Sequence, residues 1–158
     1  MKKFLVLVFC LISTFTHAKD LPNSEYTQII EHINLSKPEL FNKTKEWIAV
    51  NFNSSKDVIQ YENEVDGKLI AKGVTTPVCD QQTTKLQCFG YSQAKISFSL
   101  TVDIQNHRAR MKFENLGYAL HANAPLEDSN LIRLGHNSFK NMVQNFKEQM
   151  QKEKSDQW

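Results

Sequence analysis

From Ala94 to Gln105 the chain alternates without a break. Ala94, Ile96, Phe98, Leu100, Val102 and Ile104 are apolar, while Lys95, Ser97, Ser99, Thr101, Asp103 and Gln105 are polar. Successive side chains of a strand point to opposite faces, so this pattern predicts a strand with one face on a core and the other in water. If Asn106-His107 is the turn, the returning strand sets Ala109 opposite Ile104, Met111 opposite Val102 and Phe113 opposite Leu100. Apolar residues then meet along the whole hairpin, and a slip of one residue would expose them all, so the pattern specifies the register. The same register sends Arg108, Arg110 and Lys112 to the polar face, where Asp103 lies across from Arg110.

Other stretches are read in the same way. Residues 24–36 carry β-branched and aromatic residues between polar ends and predict a first strand. Ser36 with Glu39 three residues on forms a capping box, and Pro38 falls in the first turn, where its missing N–H does no harm. Leu40, Phe41, Thr44, Trp47, Ile48 and Phe52 then share one face of a helix. In residues 57–74, Asp66-Gly67 separates two strand-like runs and predicts a hairpin with a two-residue loop. That register pairs Ile59 with Val74, Tyr61 with Lys72 and Asn63 with Ile70, and places Ile59, Tyr61, Ile70 and Val74 on the core. Pro77 ends the second of these strands. Residues 115–137 lack a sustained period and read as a connector. Phe139, Met142, Val143, Phe146 and Met150 recur at helical spacing, so a last helix is expected to begin near Asn137 or Ser138.

The expected fold is a single α+β domain, in the order β-α-β-β-β-β-α, with an antiparallel sheet of about five strands. Two quoted stretches carry a family resemblance. "KTKEWIAVNFNSSKDVIQYENEVDGKLIAKG" (43–73) and "ISFSLTVDIQNHRARMKFENL" (96–116) resemble the bacterial exported domains of unknown function with a TATA-binding-protein-like fold. The resemblance implies a curved antiparallel sheet with a pair of helices on one face. It implies no activity and assigns no site residue. The 79–88 segment and the 115–137 connector fall outside its pattern. The fold's name is no argument for DNA binding, because function belongs to sites rather than folds.

Composition adds an address. Lys2 and Lys3, the apolar run Phe4 to Ile12, and the small and polar residues ending at Ala18 read as a secretory signal, so residues 1–18 are set apart from the domain, 19–158. Cys10 lies inside that run, after Phe9 rather than a small residue, and reads as discarded with the signal. No later segment approaches the ~20 apolar residues of a membrane-spanning helix. Export to the periplasm or medium is expected. Loss of Lys2 and Lys3 lowers the 19 Lys and Arg to 17, equal to the 17 Asp and Glu, so the formal charge of +2 belongs to the signal. A neutral domain argues against nucleic acid as partner.

Cys79 and Cys88 are the cysteines that survive cleavage, and thiols in an oxidising compartment pair. A disulfide across a turn between two strands is expected. A metal site would need two further ligands, and no His or Cys stands at zinc spacing nearby.

The sequence shows no nucleophile motif, metalloprotease helix, phosphate loop or dinucleotide fingerprint, and neither catalytic residues nor a cofactor is expected. His32, His107, His121 and His136 are scattered, and Glu62 and Glu64 read as solvated charges. Trp47 and Tyr61 read as core aromatics. The candidate binding surface is the basic strip of Lys95, Arg108, Arg110 and Lys112 on the uncovered sheet face, weighed against a merely solvated face. These readings favour a non-enzymatic envelope protein that binds a protein or small ligand. The rivals are a small hydrolase or isomerase assembled from distant residues, and a structural or inhibitory module acting by edge-strand pairing.

Overall fold

The alternating stretch forms β4 (Ile96–Gln105), and after the Asn106-His107 turn the chain returns as β5 (Arg108–Tyr118). Ile104 faces Ala109, Val102 faces Met111 and Leu100 faces Phe113, the register expected from the pattern. These six side chains are all buried. His107 takes a positive φ of 63° to close the turn. The computed structural model describes residues 24–52, 58–120 and 124–151. The signal reading therefore lies outside the described residues.

Around this hairpin stand β1 (Tyr26–Ile30), α1 (Lys37–Asn51), β2 (Ile59–Asn63), β3 (Lys68–Thr75), α2 (Lys85–Ser92), β6 (Ala124–Pro125) and α3 (Ser129–Gln151). The strands form one antiparallel sheet in the order β1-β5-β4-β3-β2, with β6 paired to the far end of β5. The α+β single-sheet architecture is as expected, with a third helix and a sixth short strand added. Helices α1 and α3 pack on each other and on one face of the sheet. Trp47 of α1 locks this layer, meeting Phe52 and Phe146 edge-on at 5.5 and 5.2 Å and donating from Nε1 to Asn145 Oδ1 at 2.8 Å. The apolar stripe expected of α1 is the buried one, and Ser36 donates its backbone N–H to the Glu39 carboxylate at 3.0 Å.

The β2–β3 hairpin departs from expectation. Its loop is Glu64–Gly67, four residues rather than two, because the Asn63 side chain accepts from Asp66 N–H and donates to the Asp66 carboxylate. Gly67 alone in this loop takes a positive φ, of 70°, and a Cβ there would stand 2.3 Å from the Ile104 carbonyl oxygen. The register consequently pairs Tyr61 with Ile70 and Ile59 with Ala71, across a bulge. The faces also exchange: Leu69 and Ala71 are buried on the helix side, whereas Tyr61 and Val74 are 45% and 55% exposed on the other. Gly73 sits on the helix side, where a Cβ would meet Phe98 and Phe52 within 3 Å. The strand spends its small residues under the bulky aromatics. As expected, β3 ends two residues before Pro77.

Two further corrections concern helices. The segment from Cys79 leads into α2, which contains Cys88, and not into a turn between strands, with Thr84 as N-cap accepting from Gln87 N–H. The last helix begins at Ser129, well before Asn137, because Asp128 caps it by accepting from the N–H groups of Asn130 and Leu131. Leu131, Ile132, Leu134, Gly135 and Ser138 extend its buried face backwards.

Candidate functional site

With both packed helices on one face, the other face of the sheet is left uncovered among the described residues, and strand parity puts Arg108, Arg110 and Lys112 there, with Lys95 just before β4. Each of them already has a local partner. Arg110 donates to Asp103 Oδ2 at 2.7 and 3.1 Å, and Lys68 adds a second cation to the same carboxylate at 3.5 Å. Lys112 lies 2.6 Å from Glu114 and 3.3 Å from Glu25, two carboxylates that hold its ammonium above the ordinary lysine range. Arg108 donates from Nε to Gln105 Oε1 at 2.8 Å, and Lys95 to Thr76 Oγ1 at 3.0 Å. The strip is thus a partly neutralised lattice, in which Arg110 and Lys112 have carboxylate partners while Arg108 and Lys95 bond to neutral oxygens. Such exposed pairs are each worth about 0.2 to 1 kcal/mol, so a partner able to satisfy both members displaces them easily.

The exposed face carries apolar positions that the sequence reading assigned to the core. Tyr61 and Ile70 face each other across β2 and β3, with Val74 further along β3. Along β3 and β4 a cleft of about 580 Å³ is lined by Lys72, Val74, Ser97 and Ser99 of this face together with Phe52, Val58, Gly73, Phe98 and Asn115. It coincides with a bulge in which Ser97 pairs with Gly117 but Ser99 with Glu114, the extra residue being absorbed near Asn115 at φ 54°. Bulges of this kind re-aim side chains beside functional surfaces.

The histidines and acidic pair are dispersed. His32 is exposed, His107 sets Nδ1 3.1 Å from the Ile33 carbonyl oxygen in the β4–β5 turn, and His121 lies outside the described residues. Glu62 pairs with Lys45 at 2.7 Å on the helix side, whereas Glu64 lies in the loop. Among the described residues no group of three or more His, Cys, Asp and Glu is placed to hold a metal ion.

His136 is the exception to ordinary solvation. On α3 it packs against Tyr26 and Phe139, with ring centroids 5.6 and 6.2 Å away, and its buried Nε2 has no hydrogen-bond partner among the described residues. Burial pushes the imidazole pKa down, and the Lys140 charge adds to the effect. The unfolded chain therefore binds this proton more readily than the folded one. The stabilising contribution of neutral His136 is complete above the unfolded value of about 6.5 and is lost as pH falls below it. Unfolding midpoints measured from about pH 8 to about pH 5 should decline, and His136→Phe should flatten the decline. An equal decline in the variant would assign it to other groups.

The disulfide is present, with Cys79 and Cys88 Cα atoms 5.8 Å apart. Around it Asp80 pairs with Arg133 of α3, Val78 N–H donates to the Leu134 carbonyl oxygen at 3.2 Å, and Ser138 Oγ donates to that of Thr76 at 2.8 Å. No helix among the described residues is long and apolar enough to cross a membrane.

Comparison with curated proteins gives no match. Two crystal structures share the fold. A DUF4468 family protein from Bacteroides ovatus superposes with a TM-score of 0.62 at 8% identity, over 84% of this chain and 89% of its own. A TBP-like protein from Parabacteroides distasonis gives 0.57 at 13% identity, over 82% and 95%. The family profile described as a domain of unknown function with TBP-like fold, DUF4468, matches residues 26–119, from the first residue of β1 through the disulfide loop to just past the end of β5. The match covers more than half of the sequence, and the chain belongs to the DUF4468 family.

Proposed function

We propose that the protein is a non-enzymatic exported envelope protein that binds a partner, a protein or small ligand, through the open face of its sheet. The observation that carries this reading is the exposure of Tyr61, at 45%, and Val74, at 55%, beside Ile70 on a face where Arg110 and Lys112 already have carboxylate partners. Interfaces combine an aromatic anchor with a polar rim, and this face offers both. Local pairing of Lys95, Arg108, Arg110 and Lys112 supports a mixed apolar and polar partner over a polyanion such as nucleic acid. The lysine-led signal through Ala18 and the disulfide support export.

One experiment tests both parts. A photo-crosslinking amino acid is placed at Tyr61, at Val74, or at Val50, which is 78% exposed on α1, in full-length protein produced in an exporting bacterial host. Envelope material should contain a chain starting at Lys19, and light should join one discrete partner to positions 61 and 74 but not to 50. Equal labelling at all three positions, or none on the sheet face, overturns the binding reading. An uncleaved chain confined to the cytoplasm overturns export.

A further inference from the structure

The sheet ends at β1, where β5 occupies one edge of the strand and no described strand pairs with the other. The β4–β5 turn fixes which backbone groups of β1 point outward. Gln105 and Arg108 close a two-residue loop, so Arg108, Arg110 and Lys112 exchange backbone hydrogen bonds with β4. Ala109, Met111 and Phe113 then direct theirs to their β1 partners Ile30, Gln28 and Tyr26. Thr27 and Ile29 are left with N–H and C=O directed away from the sheet. The contact of Gln28 Nε2 with the Ile29 carbonyl oxygen, 3.1 Å, agrees: a side chain caps a group that the ladder does not use.

A groove of about 570 Å³ runs between this edge and α3, with Ile30 and Val143 among its apolar lining and Lys140 and Lys147 along the helix. No carboxylate among the described residues forms an ion pair with either lysine. Ile29, 53% exposed, adds an apolar position at the rim. Natural sheets protect such edges with charge or cover, and here the lining sets two lysines against the single carboxylate of Glu31, so the charge is predominantly positive.

We propose that the β1 edge and its groove with α3 bind an extended acidic peptide by strand addition. The outward groups of Thr27 and Ile29 supply the main-chain hydrogen bonds, and alternate side chains of the added strand fall either toward the lysines or beside Ile29. A second copy of this chain fits less well, because pairing β1 on β1 about a two-fold axis would bring two sets of Lys140 and Lys147 together. This site is separate from the open face and stands without it.

The probe is a capped peptide of alternating valine and glutamate, titrated into the oxidised protein by fluorescence anisotropy. Saturable binding is expected, with amide shifts at Thr27 and Ile29. Lys140→Glu with Lys147→Glu should weaken it about tenfold, through loss of two ion pairs and the repulsion that replaces them, with an unchanged melting temperature. Ile29→Pro should abolish it while keeping the β5 ladder, since the amide removed is the outward one. Methylating alternate peptide nitrogens should do the same. Equal binding of a valine–lysine peptide or of the methylated peptide overturns the proposal. So does the absence of saturable binding, and so does self-association of the protein through this edge that Ile29→Pro disrupts.

Discussion

Replacing Phe113 with alanine is expected to lower stability by about 3 to 5 kcal/mol, the range for deleting a fully buried phenylalanine. Phe113 is 0% exposed and stacks on Phe139 of α3 at a centroid distance of 4.4 Å, with Phe98 and Tyr26 at 5.6 and 6.0 Å. It is the point where sheet and helix layer join, so its removal leaves a cavity between elements that cannot both close on it. Arg110, three residues earlier on the other face, has an ion-pair partner in Asp103, yet its side chain is 56% exposed. Solvent screening limits that pair, and Arg110→Ala should cost no more than about 1 kcal/mol. Urea unfolding of both variants checks the contrast. Comparable losses would mean that burial is not what distinguishes the two faces of β5.

The legible parts of this fold are those where residue size and polarity agree with position. In β4 and β5 every inward residue is apolar and every outward one polar over most of the hairpin, so parity alone gave the register and the location of the cations. In β3 the run Leu69-Ile70-Ala71 is apolar on both faces, and size alone favours Ile70 and Val74 for the core. The core instead takes Leu69, the small Ala71 and Gly73, and above Gly73 Phe52 and Phe98 already fill the space. Tyr61 was misplaced by the same error, and with it the apolar part of the candidate site. The early start of α3 was hidden by Gly135 and Ser138, which interrupt the apolar period although both are buried. The neutralising partners of the cations were legible only within one hairpin. Asp103 could be named for Arg110, but Glu25, a partner of Lys112, comes from another part of the chain and needed the order of strands.

Helix α2 was missed for a different reason, and the second large prediction follows from it. The helix has eight residues, fewer than the ~12 to 15 at which an isolated helix becomes marginal in water, and none of its side chains is buried. Leu86 and Phe89 are 82% and 71% exposed. No apolar stripe announces such a helix, although the Thr84 to Gln87 capping box was available as a signal. Packing holds it only through Tyr91, partly buried against the core near its end, so its other anchors are the cap and the bond from Cys88 to Cys79, on a segment clamped to α3 through Asp80 and Arg133. Reduction, or Cys79→Ser with Cys88→Ser, is expected to cost roughly 2 to 3 kcal/mol from the entropy of reopening a loop that spans a sequence separation of 9. The loss should be local first. Hydrogen exchange in the reduced protein should show α2 amides such as Cys88 N–H, bonded to Thr84 at 2.8 Å, losing protection while the β4–β5 ladder keeps it. The double serine variant should match the reduced protein and no longer respond to reductant. Unchanged α2 protection after reduction would show that the cap and the packing of Tyr91 order the helix without the disulfide. The expected result makes the ordered form of this segment a property of the oxidising side of the membrane, where the proposed export delivers the chain.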